Sequence, residues 1–291
     1  MSERNGREGL YWLFLIVLVV CNVYVFLVLY TPPTHTLRVS FLDVGQGDSI
    51  LIQGPTGIQM LVDGGPDRSV LRELSHELPP WDRTIDVLVE THPDKDHIAG
   101  LGDVLERYRV KYFLESGIPD RTSVSLHVKD DVTKEKGIQH ITVKRGMRLN
   151  LGGGAYAYVL FPDRDESTQT ETNDGSIVLH VVYGATSFLL TGDLPSTYED
   201  YLVGLDSHDG NLTSTVLKAG HHGSKYSTDS LWLAAVTPSY VVISAGKDNS
   251  YGHPAPETLA RITDYGKAQI LSTIDVGRID FTSNGTTLIY K

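Results

Sequence analysis

Four side chains that can bind a metal fall within one short segment, at His92, Asp94, Asp96 and His97. The segment follows the apolar run Ile85–Glu90, which reads as a buried strand. Because the intervening proline disfavours helix for the residue before it, His92 and Asp94 should be extended and point to one side. Two imidazoles and two carboxylates packed this densely predict ligands for two metal ions rather than a solvated loop.

Three later segments place further candidate groups at the ends of apolar runs. Asp193 follows a strand-like run and a glycine, a position that alone indicates a turn or a helix cap. His221 and His222 stand between glycines after another apolar run, which favours a ligand or a proton-transfer role. His253 lies in the segment Asn249–Pro254, which by itself reads as a surface loop.

The elements that must position these groups are short. Strand-like runs alternate with helix-length amphipathic segments, and no linker divides them, so residues 37–291 should form one α/β domain of two sheets flanked by helices. Among the predicted elements are a strand at Arg38–Val44, a helix at Ile98–Tyr108 and a helix at Ser123–Lys136. The triplet Gly152–Gly154 predicts a hairpin turn, because no Lys-Ser/Thr pair follows as in a phosphate loop.

The amino-acid composition excludes several classes of protein. The 291 residues carry 25 Lys+Arg and 36 Asp+Glu, a formal charge of −11, with 41% hydrophobic residues and one Cys. These values exclude a disordered chain, an internal disulfide scaffold and a multi-Cys zinc site. The acidic balance also disfavours a general nucleic-acid coat. Residues 129–148 are locally basic, but acidic neighbours dilute them, so a solvated helix and hairpin is favoured over a nucleic-acid groove.

The N-terminus predicts a membrane anchor. Residues 10–30 form a stretch without charged side chains that is long enough for a transmembrane helix. No A-x-A pattern, typical of signal-peptide cleavage, follows it. Residues 1–9 are expected to be a cytoplasmic stub and 31–36 a proline-containing linker. Arg4 and Arg7 precede the span, so the positive-inside rule places the N-terminus in the cytoplasm and the catalytic domain outside, although Glu3 and Glu8 weaken this bias.

Taken together, the motifs of the body resemble a known family. FLDVGQGDSILI (Phe41–Ile52), LVDGG (Leu61–Gly65), THPDKDH, LLTGD, LKAGHHGS and YGHP occur in this order. The pattern is similar to the metallo-β-lactamase fold superfamily, and more narrowly to the C-terminal hydrolase domain of the competence DNA-uptake family ComEC/Rec2. The likeness runs from about Leu37 to the C-terminus. One anchor stands in place of that family's multi-span channel, so DNA transport is not implied.

The resemblance implies an αββα sandwich with two divalent metal ions, Zn or Mn, at one edge. His92 and Asp94 would bind one ion and Asp96 and His97 the other. Asp193 would bridge the ions. His222 is preferred over His221 as the last ligand, because the family's ligand commonly precedes the glycine. The residues expected to be structural near the site are Asp43, Asp48, Asp63, Asn173 and Ser176, and Asp63 would orient the metal-binding loop.

Two departures from the superfamily pattern affect the expected metal. Asp94 stands where the superfamily commonly has His, although the closer branch usually carries Asp. A ligand histidine expected before Asp193 is absent, and Asn173, Asp174 or Ser176 would replace it. More oxygen donors make a harder site, which brings manganese into consideration beside zinc.

A mechanism follows from the resemblance. Two metals about 3.5–4 Å apart would generate a hydroxide from a shared water and stabilise the charge on the attacked group. Asp96 would take the water's proton, and His221 or His253 would protonate the leaving oxygen. Substrate contacts are expected from Lys218, Ser224 and Lys225, although any of the lysines would also be an ordinary surface residue.

The leading functional hypothesis is a membrane-anchored, metal-dependent phosphodiesterase, most simply a DNase outside the cell. The alternatives are a hydrolase of the same fold acting on a cell-wall phosphodiester, a lipid phosphodiester or a lactam, and a non-catalytic binding module. The expected partners are DNA or another phosphodiester and the lipid bilayer. Protein partners and oligomeric state stay open.

Overall fold

The computed structural model describes residues 2–29, 35–209 and 212–291, in two units. One unit contains helix α1 (Ser2–Leu29), in which the stretch Arg7–Phe26 is long and apolar enough to cross a membrane. The predicted span 10–30 falls on this helix apart from Tyr30, and the predicted linker 31–36 lies outside the described residues as far as position 34. The second unit is the body, His35–Lys291.

The described residues of the body form two mixed sheets. In sheet order, sheet A contains β15 (Leu288–Tyr290), β14 (Ile279–Ser283), β1 (Leu37–Phe41), β2 (Ile50–Gln53), β3 (Gln59–Val62), β4 (Thr84–Val89), β5 (Arg109–Glu115) and β6 (Gln139–Thr142). Sheet B contains β13 (Gln269–Ser272), β12 (Tyr240–Ile243), β11 (Val216–Lys218), β10 (Thr186–Leu190), β9 (Val178–Tyr183), β8 (Ala155–Phe161) and β7 (Arg148–Gly152). The β7–β8 hairpin confirms the turn predicted at Gly152–Gly154.

Helices cover the outer face of each sheet. The helices are α2 (Ser69–Glu77), α3 (Lys95–Ile98), α4 (Leu101–Arg107), α5 (Ser123–Lys134), α6 (Ser196–Asp209), α7 (Ser230–Val236), α8 (Pro256–Tyr265) and α9 (Thr273–Val276). Strand alternation builds the layers, since Met60 and Val62 point into the core between the sheets while Leu61 packs under α2 and α4. A third core lies between sheet B and α6–α8, around Trp232. This αββα sandwich confirms the predicted fold class.

The candidate groups meet at one edge of the sandwich because several parallel strands end there. β3 and β4 are parallel, and β10, β11 and β12 are parallel to one another. The segment with His92 follows β4, Asp193 follows β10, and the histidine pair follows β11. Loops at the carboxyl ends of parallel strands therefore carry the site.

Three sequence predictions differ from the structure. β1 ends at Phe41 rather than Val44, because the following residues turn away from the sheet towards the site. The predicted helix Ile98–Tyr108 is instead two short helices that begin at Lys95 and break near Gly100. Strand β6 was not predicted, because its edge position leaves its side chains largely exposed and without an apolar alternation.

A pair of glycines tests how closely the α3–α4 junction packs. A Cβ added at Gly100 would lie 2.1 Å from the Gly64 carbonyl oxygen and 2.6 Å from that of Asp67, both backbone atoms. Gly102, in the same helix, offers a control, since its added Cβ would meet only the Asp131 side chain at 3.2 Å. We expect Gly100→Ala to lower the free energy of unfolding by ~1–3 kcal/mol through overpacking. We expect Gly102→Ala to change it by less than ~0.5 kcal/mol.

The measurement is urea unfolding of the full chain in detergent, followed by tryptophan fluorescence. Equal midpoints for Gly100→Ala and the unsubstituted protein would show that this close backbone approach is not a constraint on the fold.

Candidate metal centre

Asp193 occupies the middle of the site. Its Oδ1 lies 3.3 Å from His97 Nε2, and its Oδ2 lies 3.3 Å from His222 Nε2. The turn before it contains Gly192 at φ +51°, where an added Cβ would be 3.1 Å from Ser176 Cβ. The Asp193 amide donates to Ser176 Oγ at 3.3 Å. Ser176 therefore positions Asp193, in keeping with its expected structural role.

Asp63 fixes the orientation of His97. His97 Nδ1 donates to Asp63 Oδ2 at 2.7 Å, which leaves Nε2 as the nitrogen that faces Asp193. Asp63 also accepts from the Thr91 amide at 2.8 Å and the Thr91 hydroxyl at 2.7 Å. The geometry supports the expectation that Asp63 orients the metal-binding loop.

The same hydroxyl orients His92. Thr91 Oγ1 donates to Asp63, so at its 3.0 Å contact with His92 Nδ1 it is the acceptor. His92 Nε2 is thereby left without a proton and lies 3.6 Å from Asp94 Oδ2. His92 and Asp94 thus point to one side, as the extended conformation before Pro93 predicts. The His92 and His97 rings are 4.1 Å apart between centroids.

His222 is presented from a strained turn. The turn Gly220–Gly223 places His221 and His222 at φ 48° and 53°, in the left-handed region. His222 is buried, and its Nδ1 donates to the Ser244 carbonyl oxygen at 2.9 Å. Its Nε2 is therefore the free nitrogen, 3.3 Å from Asp96 Oδ2 as well as from Asp193.

His221 lies on the open side of the site. Its side chain is 32% exposed, and its Nε2 is 3.7 Å from Asp193 Oδ2, beyond hydrogen-bonding distance. Its Nδ1 lies 3.4 Å from Asn173 Nδ2, so Asn173 contacts an imidazole. The His253 ring stands 5.5 Å from that of His221. These contacts set His221 apart from the buried His222.

A buried ion pair lies behind the site. Lys218 is fully buried, with its Nζ 2.5 Å from Asp48 Oδ2 and 3.6 Å from Asp193 Oδ1, and it donates to the Gly192 carbonyl oxygen at 2.9 Å. The prediction that Lys218 contacts substrate is therefore wrong, because no surface of its ammonium group reaches solvent. Ser224 is also buried, at 2% exposure, so the same prediction is wrong for Ser224. Lys225 is exposed.

Asp48 could be mistaken for a ligand. Asp48, His97, Asp193 and His222 each offer a ligand atom within 4.8 Å of the others. The Asp48 contacts, however, are to the Nδ1 atoms, at 3.5 Å from His222 and 3.9 Å from His97, while the free nitrogens are Nε2. Asp48 also faces Lys218. Its geometry supports a structural role, as the sequence predicts, and Asp43, which accepts from the Gly45 amide, stabilises the turn before it.

Opposite charges determine the protonation of this buried cluster. Burial would raise the pKa of Asp193, but His222, His97 and Lys218 outweigh it and hold that pKa well below its usual range. Burial would lower the pKa of His97, but Asp193 and Asp63 raise it well above its ordinary value. A divalent cation that binds these imidazoles would therefore compete with protons for them.

The donors fit divalent metal ions. Among the described residues, the buried atoms without a hydrogen-bond partner at this site are His92 Nε2, His97 Nε2, His222 Nε2 and Asp193 Oδ1, together with Asp48 Oδ1 behind them. Buried polar atoms normally have hydrogen-bond partners. Several such atoms without partners that face one another therefore indicate a site for a bound metal ion. Each imidazole has its other nitrogen tied to an oxygen, the arrangement that orients metal-binding histidines. Asp94 and Asp96 add carboxylates that are 37% and 29% exposed.

Some features of the site were not predicted from the sequence. The Ser244 carbonyl carries no side-chain signal, whereas Thr91 opens the THPDKDH motif and could have been singled out. The locally basic stretch 129–148 is neutralised in part, since Lys129 and Lys134 pair with Asp120 and Asp130. This agrees with the predicted solvated helix, but the predicted hairpin is wrong, because β6 pairs parallel to β5 in sheet A while β7 belongs to sheet B.

Comparisons with known proteins give a family match and individual relatives. Residues 42–247 match the family described as the metallo-beta-lactamase superfamily. ComE operon protein 3 of Bacillus subtilis (strain 168) is 30% identical over 282 residues, covering 90% of this chain and 35% of that protein. Competence protein ComA of Neisseria gonorrhoeae is 30% identical over 250 residues, covering 86% of this chain and 33% of that protein. The chain therefore spans about a third of the length of these relatives.

Solved structures share the fold. The diiron β-hydroxylase CmlA from Streptomyces venezuelae superposes with a TM-score of 0.55 at 17% identity, covering 90% of this chain and 55% of that one. Tm1679, a metal-dependent hydrolase of the β-lactamase superfamily, superposes with a TM-score of 0.54 at 12% identity, covering 83% and 98%. These identities establish the fold alone. With its sandwich, its buried Asp/His group and a family match over most of its length, the chain belongs to the metallo-β-lactamase superfamily.

Proposed function

We propose that this protein is a membrane-anchored, metal-dependent phosphodiesterase, with DNA as its leading substrate. The observation that carries the proposal is the convergence of two imidazole nitrogens without hydrogen-bond partners, His97 Nε2 and His222 Nε2, on the carboxylate of Asp193, with the His92 ring 4.1 Å from that of His97. A scaffold alone has no use for buried polar atoms without partners, since each costs ~1–3 kcal/mol.

The chain's donors divide into two sets that share Asp193. We propose that His92 and Asp94 hold one ion and that Asp96, His97 and His222 hold the other, with Zn or Mn as the metal. When bound, such ions lower the pKa of a water to near neutral and stabilise charge on a phosphoryl oxygen. The first set has fewer protein donors, because the segment Glu171–Ser176 contains no histidine and Asn173 turns its amide nitrogen to His221.

The exposed side of the site supplies proton transfer. Asn173 Nδ2 can only donate, so His221 Nδ1 accepts and the neutral ring carries its proton on Nε2. Burial lowers the pKa of His221, in keeping with a neutral ring. From its place on the open side of the site, 3.7 Å from Asp193, we propose that His221 passes a proton to the leaving oxygen, with His253 beside it as a second proton carrier. Burial would raise the pKa of Asp96, but the neighbouring His222 and His97 lower it, so this carboxylate is ionised. Because Asp96 lies on the open side of the site, we propose that it takes the water's proton.

The relatives support a DNA substrate. One relative is named as a competence protein, and another, Recombination protein 2 of Haemophilus influenzae, is 29% identical over 248 residues. Recombination acts on DNA. The formal charge of −11 makes long-range attraction of a polyanion weak, so local contacts at the site must supply the affinity.

Substitutions in the centre test this function. Asp193→Ala should lose bound metal and lower hydrolysis of bis-nitrophenyl phosphate and DNA by at least about 100-fold, because both sets of donors lose their shared ligand. His222→Ala should also lose metal. His221→Ala should keep its metal and lose rate by about 10²–10⁴-fold, as for a missing general acid.

The measurement pairs metal content by mass spectrometry with turnover for the full chain in detergent, and Asp264→Ala on the exposed face of α8 is the matched control. Full turnover in Asp193→Ala would refute the site. Metal loss in His221→Ala with retention in His222→Ala would exchange their roles.

We further propose that α1 spans the membrane with its N-terminus in the cytoplasm, supported by its apolar length and by the arginines before it. Alkaline phosphatase fused after Lys291 should be active, because it would be exported. Activity of a cytoplasm-dependent reporter at that position, with an inactive phosphatase, would reverse the orientation.

A further inference from the structure

Two strongly exposed tyrosines stand beside the metal centre. Tyr251 is 68% exposed and Tyr226 is 66% exposed. The Tyr251 ring lies parallel to the His253 ring, at an interplanar angle of 14° and 6.0 Å between centroids. His253 is in turn 5.5 Å from His221, whose Nε2 approaches Asp193. A continuous series of rings therefore leads from the reacting centre to an open aromatic face.

The loop that carries Tyr251 is held in place. Asn249 Oδ1 accepts from the amides of Tyr251 and His253, and Asn249 Nδ2 donates to the carbonyl oxygens of His253 and Gly246. The Gly246 amide donates to Gln46 Oε1, which ties the loop to the turn beside Asp48. Because these hydrogen bonds fix the loop, the exposed Tyr251 ring is already ordered before a ligand binds. Little conformational entropy is therefore lost when a ligand stacks on it.

Tyr226 forms a second surface of the same kind. Lys225 Nζ lies 5.0 Å from the centre of the Tyr226 ring, and the Tyr226 carbonyl oxygen accepts from the Ser196 amide at 2.8 Å. This contact fixes the Tyr226 backbone against the start of α6, and Tyr226 follows the ligand candidate His222 by four residues in the chain. The two loops are joined, because the Ala255 amide donates to the Gly223 carbonyl oxygen at 2.9 Å.

The chemistry of this rim favours bases over phosphates. Among the described residues of the rim, exposed cations are few, with Lys95, Lys225 and Lys247 as examples, and the site itself is rich in carboxylates. Duplex DNA presents mainly phosphates and needs many cationic contacts. Unpaired bases expose flat faces that stack on aromatic rings whatever the sequence, and this stacking does not depend on net charge.

We propose that Tyr251, backed by His253, and Tyr226 form a stacking platform that selects single-stranded nucleic acid and places an unpaired base next to the scissile phosphate. The proposal rests on the phosphodiesterase function above and adds the strandedness of the substrate. A paired base cannot reach the platform without being extruded, which costs a few kcal/mol.

The test is fluorescence anisotropy with the full chain in detergent and chelator, so that strands stay intact. The probes are a fluorescein-labelled decathymidylate, a stable abasic strand of the same length and a duplex. Decathymidylate should bind at least about ten-fold tighter than either other probe, and Tyr251→Ala should remove about ten-fold of that affinity. Tyr226→Ala, a separate variant, should also weaken the binding of decathymidylate. Tyr251→Phe should retain the affinity of the unsubstituted protein. Trp81→Ala, an exposed aromatic before β4, is the control and should bind as the unsubstituted protein does.

Equal affinity of Tyr251→Ala and the unsubstituted protein for decathymidylate would overturn the proposal. So would binding of the duplex or the abasic strand as tightly as decathymidylate. The phosphodiesterase function is judged separately, by metal-dependent cleavage of the abasic strand by the unsubstituted protein. Cleavage of that strand without a preference for bases would keep the function and reject the platform.

Discussion

The structure depends on one buried carboxylate. Asp193 is almost fully removed from water, and an ionised group in such a place is strongly unfavourable unless opposite charge compensates it. His97, His222 and Lys218 supply that charge from two segments of the chain, the one that follows β4 and the one formed by β11 and the turn after it. The segments come together because parallel strands of both sheets end at this edge, so the sandwich serves to deliver these groups to one point.

The residues around this carboxylate give the site one buried side and one side that is open to solvent. On the buried side, Asp63, Thr91 and the Ser244 carbonyl hold the Nδ1 atoms of the imidazoles and aim their Nε2 atoms inward. On the open side, Asp94, Asp96 and His221 retain contact with solvent. Substrate must therefore approach past the open carboxylates and His221, along the rim that carries Tyr251. This difference in exposure is the basis on which we propose metal binding for His222 and proton transfer for His221.

Much of this arrangement could be predicted from sequence, and the failures have physical reasons. The αββα sandwich and the shared direction of His92 and Asp94 follow from strand patterns, a proline and the order of the motifs. The prediction that Lys218 contacts substrate is wrong because a lysine at the end of a strand is usually exposed. Only the fold shows that Lys218 is buried against Asp48. Ser224 was misassigned in the same way. Tertiary contacts also decide how His221 differs from His222, since the difference depends on Asn173 and Ser244, which are distant in sequence.

The central claim is that the free Nε2 atoms and Asp193 hold divalent metal ions. The most direct measurement is a crystal structure of the manganese- or zinc-loaded protein with anomalous scattering at the metal edge. The account predicts an ion about 2.0–2.2 Å from His97 Nε2, His222 Nε2 and an Asp193 oxygen, with Asp48 still paired to Lys218. A second, more weakly occupied ion is predicted beside His92 and Asp94. An anomalous peak coordinated by Asp48 in place of Lys218, or no peak among these nitrogens at saturating metal, would contradict it.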